Sequence, residues 1–289
     1  FIGHHLSLKC AEIGWDVTSV SKNFPRKNKI LKKVKYINMN LEDTKNLKKI
    51  NKNFDYLVNA AGYINNNDSL KYKNHNLKIT KTIFTHFKET NIKAFLSVGS
   101  SAEYGGRNSK KNENFLCIPK SKYGKDKLNC TDFLIKVFKK FNFPSIVFRV
   151  YQVYGPKQET NRLIPIVAKA CFHGKTFNCS DPKLIRDFIY IDDLVNAILK
   201  ALKNNNAKGQ IFNLGSGKGV SLKYLVSSIR NYYKKGHPLF GKIKLRKDES
   251  KIIIANISKS KKILDWKPNY TFKSGLSKTL KYYNNVFKR

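Results

Sequence analysis

Pro119-Lys120-Ser121-Lys122-Tyr123-Gly124-Lys125-Asp126-Lys127 sets a tyrosine and a lysine four residues apart. On an α-helix those two side chains share a face, one turn apart. The run from Lys125 to Phe138 carries Leu128, Phe133, Leu134 and Val137, a spacing that predicts this helix. A free phenol titrates near about 10 and is a poor proton carrier at neutral pH. An ammonium one turn away favours phenolate; a shift of about three units takes roughly 4 kcal/mol of differential stabilisation. Alone, the pair also fits a solvated Lys/Tyr helix face. The residues upstream decide between the two.

Ala94-Phe95-Leu96-Ser97-Val98-Gly99 reads as a buried strand, and Ser100-Ser101-Ala102-Glu103-Tyr104-Gly105 comes directly at its end. Doubly wound folds place their chemistry at strand ends that face a crevice. A serine there can hydrogen-bond the oxygen that Tyr123 protonates or deprotonates. These stretches together resemble the extended short-chain dehydrogenase/reductases, the NAD(P)-dependent nucleotide-sugar epimerases, dehydratases and reductases. The resemblance puts the catalytic residues on Ser100, Tyr123 and Lys127. It implies an α/β fold, a Rossmann-like doubly wound parallel sheet with a smaller C-terminal substrate-binding region. Residues 1–155 would bind NAD(P) and 156–289 mainly substrate, with 186–215 returning to the sheet.

At 289 residues the chain can bury a substantial core. No run approaches 18 consecutive apolar residues and no leader is legible, so the expectation is a cytoplasmic protein without a membrane span. Five cysteines, an odd number without C-x-x-C or matching histidine pairs, point to reduced thiols and no metal site. The net charge of +38 invites a nucleic-acid reading. However, its lysines are spread along the whole chain with few arginines among them, unlike a phosphate-tracking patch. Nucleic acid is therefore not expected as a partner. A diffuse positive field still attracts an anionic nucleotide substrate.

Phe1-Ile2-Gly3-His4-His5-Leu6 resembles the segment just after the family's first strand and G-x-x-G turn, with Gly3 as the last glycine, at a close helix–strand approach. The expectation is a chain that lacks that strand and most of the phosphate loop, with its first helix running from Leu6 to Gly14. Asp16 to Val20 reads as the next strand and runs into Ser21-Lys22-Asn23, with Arg26 nearby. An NAD enzyme places a carboxylate there for the ribose hydroxyl. A hydroxyl beside cations suits a 2′-phosphate, which favours NADP over NAD. Further strands at Tyr36–Leu41 and Tyr56–Gly62 would bring Asn40 and Leu41 to the adenine and let cofactor lie against Ala60, Ala61 and Gly62. Asn76 opens a helix with Leu77, Ile79, Ile83, Phe84 and Phe87. With the Tyr123 helix it has enough apolar positions to pair across a homodimer, as the family's often do; core packing within one chain is the simpler alternative.

Tyr151-Gln152-Val153-Tyr154-Gly155-Pro156 resembles the family's Arg-x-x-Asn-x-Tyr-Gly-Pro turn, with Gln152 where the asparagine touches substrate. Ser101, Gln152, Arg162, Arg186 and Arg246 are the substrate-binding candidates, the arginines suited to a diphosphate. Asp192 and Asp193 open a helix, where capping is their expected task. Gly215-Ser216-Gly217 lacks a strand-to-helix phosphate-loop setting and reads as structural. The carboxy-terminal Asn256 to Pro268 also resembles the family's pattern, so the likeness runs along the whole chain.

The family's 4,6-dehydratases carry Asp-Glu directly after the catalytic Ser/Thr; here those places hold Ser101 and Ala102, and Ala102 can transfer no proton. That disfavours dehydration. Reduction of a nucleotide-4-keto-6-deoxyhexose is the leading expectation, since Tyr-Gln-Val-Tyr-Gly-Pro and Phe177-Asn178-Cys179-Ser180 resemble the paratose and abequose synthases of O-antigen biosynthesis. Nucleotide-sugar 4-epimerisation with NAD is the alternative, and a cofactor-sensing binding module the non-enzymatic one.

Overall fold

The computed structural model describes residues 1–62, 74–106, 108–245 and 249–288. In chain order these form α1 (Ile2–Glu12), β1 (Val17–Ser21), β2 (Val34–Asn38), α2 (Thr44–Leu47), β3 (Tyr56–Asn59), α3 (His75–Phe87) and β4 (Ala94–Ser100). A 3-10 turn over Ser101–Tyr104 leads to β5 (Ser109–Lys111), α4 (Lys122–Phe141), β6 (Ser145–Val150), β7 (Gln152–Tyr154) and α5 (Leu163–Phe172). The remainder is β8 (Thr176–Asn178), β9 (Ile185–Tyr190), α6 (Ile191–Lys203), β10 (Ile211–Leu214), β11 (Gly219–Ser221), α7 (Leu222–Tyr233), β12 (His237–Leu239), β13 (Ile252–Ala255), α8 (Ser258–Leu264) and α9 (Phe272–Phe287).

The central sheet runs β10-β6-β4-β3, all parallel. Its middle strands are near-continuous apolar runs because both faces are covered. Alternation then sorts their side chains. Leu96, Ile146 and Phe148 join Leu6 and Cys10 of α1 and Ala197 of α6 in one cluster. Phe95 and Val147 join Phe84 of α3 and Leu134 of α4 in the other. This is the doubly wound arrangement expected. Of the apolar positions on the two helices noted for a dimer, Ile83, Phe84, Phe87, Leu134 and Val137 are buried in the chain's own core, while Leu77, Ile79, Leu128 and Phe133 are half-buried.

β1 and β2 form a separate parallel pair. Trp15 and Tyr56 stack at 5.2 Å and 16° beside it, bringing the starts of β1 and β3 together without strand pairing between them. The first helix begins at Ile2, ahead of the expected Leu6. A Cβ built at Gly3 meets nothing within 4 Å, so the close approach expected there is not found among the described residues.

Of 186–215, only β10 enters the central sheet, while α6 packs against β4 and α1. β9 instead pairs with β7, β11 and β13, which corrects the expected return of the whole segment. Asp187 explains why. Fully buried, it accepts the backbone N–H of Ser216 at 2.6 Å, of Gly217 at 3.0 Å and of Ala255 at 3.1 Å. A carboxylate thus holds the glycine turn, in agreement with its structural reading. Asp193 is a second correction. The N-cap of α6 is Tyr190, and Asp193 instead accepts from Asn269 N at 2.8 Å and Tyr270 N at 3.1 Å. It anchors the carboxy-terminal segment; its neighbour Asp192 lies exposed in the first turn.

Candidate active site

Ser100 is the last residue of β4 and the N-cap of the 3-10 turn, where its Oγ accepts from Ala102 N at 3.2 Å. Glu103 completes a capping box by accepting Ser100 N–H at 2.9 Å. Ser121 caps α4 by accepting from Gly124 N, so the helix starts just before Tyr123. Gly124 is there for space: a Cβ would come within 2.5 Å of the Ala102 carbonyl oxygen. The first turn of α4 is therefore pressed against the turn that carries Ser100.

Tyr123 is half-buried on that turn. Lys127, one turn on, is 6% exposed and donates from Nζ to the Val98 carbonyl at 2.8 Å, two residues before Ser100. That bond draws the ammonium to the end of β4 and fixes it. Ser100, Tyr123 and Lys127 thus belong to one strand–helix junction at the carboxyl end of the sheet.

Gly62 lies beside the same ammonium, and a Cβ there would sit 3.4 Å from both Lys127 Nζ and Asn76 Oδ1. The missing side chain leaves a shelf on which a flat ring could approach the lysine, so the residues present fit a nicotinamide cofactor. Asn59 supports that strand end, accepting from Ala61 N at 3.2 Å, and Ala60 and Ala61 are half-buried. Ser21 ends β1 and donates its hydroxyl to the Asn23 carbonyl at 2.6 Å; Lys22 and Arg26 are exposed. Asn40 accepts from Glu42 N at 3.2 Å, next to half-buried Leu41.

Strand register carries the substrate candidates outward from Ser100. Ser100 pairs with Val150 and, two residues on, exposed Gln152 pairs with Phe188. Arg186 lies two residues before Phe188 and pairs with Ile253. Its guanidinium is engaged, with NH2 2.5 Å from Glu249 Oε1 and NH1 donating to the carbonyls of Ile185 and Lys251. A diphosphate at Arg186 would therefore share the guanidinium with Glu249 or displace it. Ser101 is half-buried in the 3-10 turn, and Arg162 is the half-buried N-cap residue of α5. Arg246 lies outside the described residues.

Two carboxylates that sequence reasoning passed over brace this junction. Asp126, buried beside Lys127, accepts from Asn76 N at 3.0 Å, Asn76 Nδ2 at 2.8 Å and Leu77 N at 3.3 Å, tying α4 to the start of α3. Glu103 pairs with buried Arg149, Nε to Oε2 at 2.8 Å, and Arg149 lies 4.6 Å over the Tyr104 ring. Burial opposes the charge of Arg149, but Glu103 and Tyr104 outweigh it and hold the guanidinium above its ordinary value. Burial pushes the Tyr104 phenol up to about 12, with Arg149 opposing. The spacing Ser100-x-x-Glu103 was a capping-box signal for the second of these braces.

The model of the NAD dependent epimerase/dehydratase family matches residues 1–215. The chain belongs to that family. Among curated proteins it is 28% identical over 218 residues to an uncharacterised UDP-glucose epimerase of Bacillus subtilis, covering 75% of this chain and 68% of that one. It is 36% identical over 140 residues to the CDP-abequose synthase of Salmonella typhimurium, covering 46% of each. A solved UDP-glucuronic acid 4-epimerase of Bacillus cereus, in complex with UDP-glucuronic acid and NAD, has a TM-score of 0.89 at 24% identity, covering 99% of this chain and 96% of that one. That likeness shows the fold. As a member of the NAD dependent epimerase/dehydratase family, the chain is an enzyme acting on nucleotide sugars. Among the described residues, no helix is long and apolar enough to cross a membrane.

Proposed function

We propose that the enzyme reduces the ketone of a nucleotide-4-keto-6-deoxyhexose, with NADPH favoured over NADH. The observation that carries this reading is the end of β1, where Ser21 and Lys22 stand in place of a carboxylate. Ala102 in the turn after Ser100 supports it by removing a dehydratase's proton carrier, as does the 36% identity to CDP-abequose synthase over 140 residues.

When bound, a nicotinamide would supply the hydride that the sugar's carbonyl carbon needs. Ser100 holds the carbonyl oxygen by a hydrogen bond, and Tyr123 gives that oxygen its phenolic proton. Lys127, fixed by the Val98 carbonyl, opposes the negative charge left on the phenol and orients the cofactor's ribose. Arg186 binds the diphosphate, aided by Arg162 and Arg246, while Ser101 and Gln152 meet the sugar. Gly3, Asn40, Leu41, Ala60, Ala61 and Gly62 line the cofactor. The five free cysteines suit a reducing cytoplasm. A homodimer through α3 and α4 belongs to the same reading, with exposed Phe141 at the end of α4.

Incubation of the whole gene product with NADPH and a nucleotide-4-keto-6-deoxyhexose tests the reaction. One NADPH should be consumed per sugar reduced; interconversion of two sugars without net cofactor loss would favour the epimerase instead. Titrated separately, NADPH should bind more tightly than NADH, and Lys22→Ala should narrow the gap. An NADH preference in the wild type would remove the support that β1 gives. Arg186→Leu should weaken nucleotide-sugar binding far more than cofactor binding. Equal losses would mean that the Arg186–Glu249 pair is only structural.

A further inference from the structure

Glu103 has no part in the chemistry of reduction, yet it is the most enclosed charged residue around Ser100, at 0% exposure. Its two carboxylate oxygens face three different elements. Oε1 accepts the backbone N–H of Ser100 at 2.9 Å. Oε2 accepts the Thr131 hydroxyl and Arg149 Nε, each at 2.8 Å. Thr131 stands one turn beyond Lys127 on α4, with its Oγ1 3.3 Å from the Lys127 carbonyl oxygen. One side chain therefore grips both the strand end that carries Ser100 and the helix that carries Tyr123 and Lys127.

A carboxylate at this depth is unfavourable unless its donors are fixed and complete. Here three donors from β4, α4 and β6 meet it, and the geometry of each constrains the others. Catalytic groups must be held closely, because a misplacement of about 1 Å can lower a rate by about 10²-fold. We infer that Glu103 is a positioning residue, which sets the Ser100 hydroxyl against the Tyr123–Lys127 face of α4. This rests on the reading of those three residues as the catalytic ones.

Thr131→Val tests it with little disturbance, since it removes one hydroxyl, keeps the side-chain shape and leaves the ion pair with Arg149 intact. The loss of one hydrogen bond should lower kcat roughly 3- to 10-fold, with KM for NADPH and for the sugar almost unchanged. Thr131→Ser restores the hydroxyl and should restore kcat. Glu103→Gln can serve only one side, because its amide nitrogen must face a donor on the other. It should lower kcat by about 10- to 100-fold, and adding Thr131→Val should make it no worse. Should Glu103→Gln fail to fold, the two Thr131 variants decide alone. Unchanged kcat per folded molecule in Thr131→Val, with only thermal stability reduced, would overturn the inference while the wild type stays active. A wild-type protein that turns over no nucleotide sugar would sink the reading of the site, and this inference with it.

Discussion

Tyr123→Phe is expected to lower turnover by about 10²–10⁴-fold, the range typical of a positioned acid or base, while leaving NADPH binding nearly intact. The substitution removes one oxygen and its proton from a half-buried position on the first turn of α4. The cap from Ser121, the contact of Gly124 with Ala102 and the Lys127 bond to Val98 all involve other atoms. The junction therefore stays assembled without its proton donor. Steady-state kinetics beside cofactor titration separate the two effects. Loss of binding in parallel with turnover would mean that Tyr123 shapes the cofactor site and carries no proton.

Arg149→Met should lower stability by about 3–5 kcal/mol, because it leaves the Glu103 carboxylate buried without its charged partner. For a chain of this size, that corresponds to a fall in Tm on the order of 10 °C. Arg149 is 3% exposed and Glu103 0%, so water cannot stand in for either. The double variant Glu103→Val, Arg149→Met removes both charges and should regain much of the loss, since apolar replacements of a buried pair are often neutral. Thermal unfolding of the three proteins checks this. A single variant as stable as wild type would show that the pair contributes little.

The elements of the amino-terminal half were legible because their signals are local. The apolar run at Ala94 to Gly99 needed no partner to be recognised as a buried strand, and α4 emerged from its own periodicity. The placing of Ser100 at a strand end and of Tyr123 and Lys127 on one helix was legible for the same reason. The contacts that join them were not. Glu103 reaches Arg149 across 46 residues, Asp126 reaches Asn76 across 50, and Arg186 reaches Glu249 across 63. Such pairs leave no period along the chain. Asp193 shows the opposite error: its place at a helix start suggested a cap, but a segment 76 residues away supplied better donors. β9 was expected in the central sheet with the rest of 186–215, as the resemblance implied; it is a largely buried strand of a different sheet, parallel to β7 and β13 and antiparallel to β11.

The most direct test of the proposed reduction traces the hydride. The whole gene product is supplied with NADPH deuterated at its hydride-bearing carbon and with a nucleotide-4-keto-6-deoxyhexose, and the sugar is analysed by mass spectrometry and NMR. One deuterium on the former carbonyl carbon for each NADPH oxidised is the predicted result. A sugar that changes configuration with no deuterium gained and no NADPH consumed would contradict it.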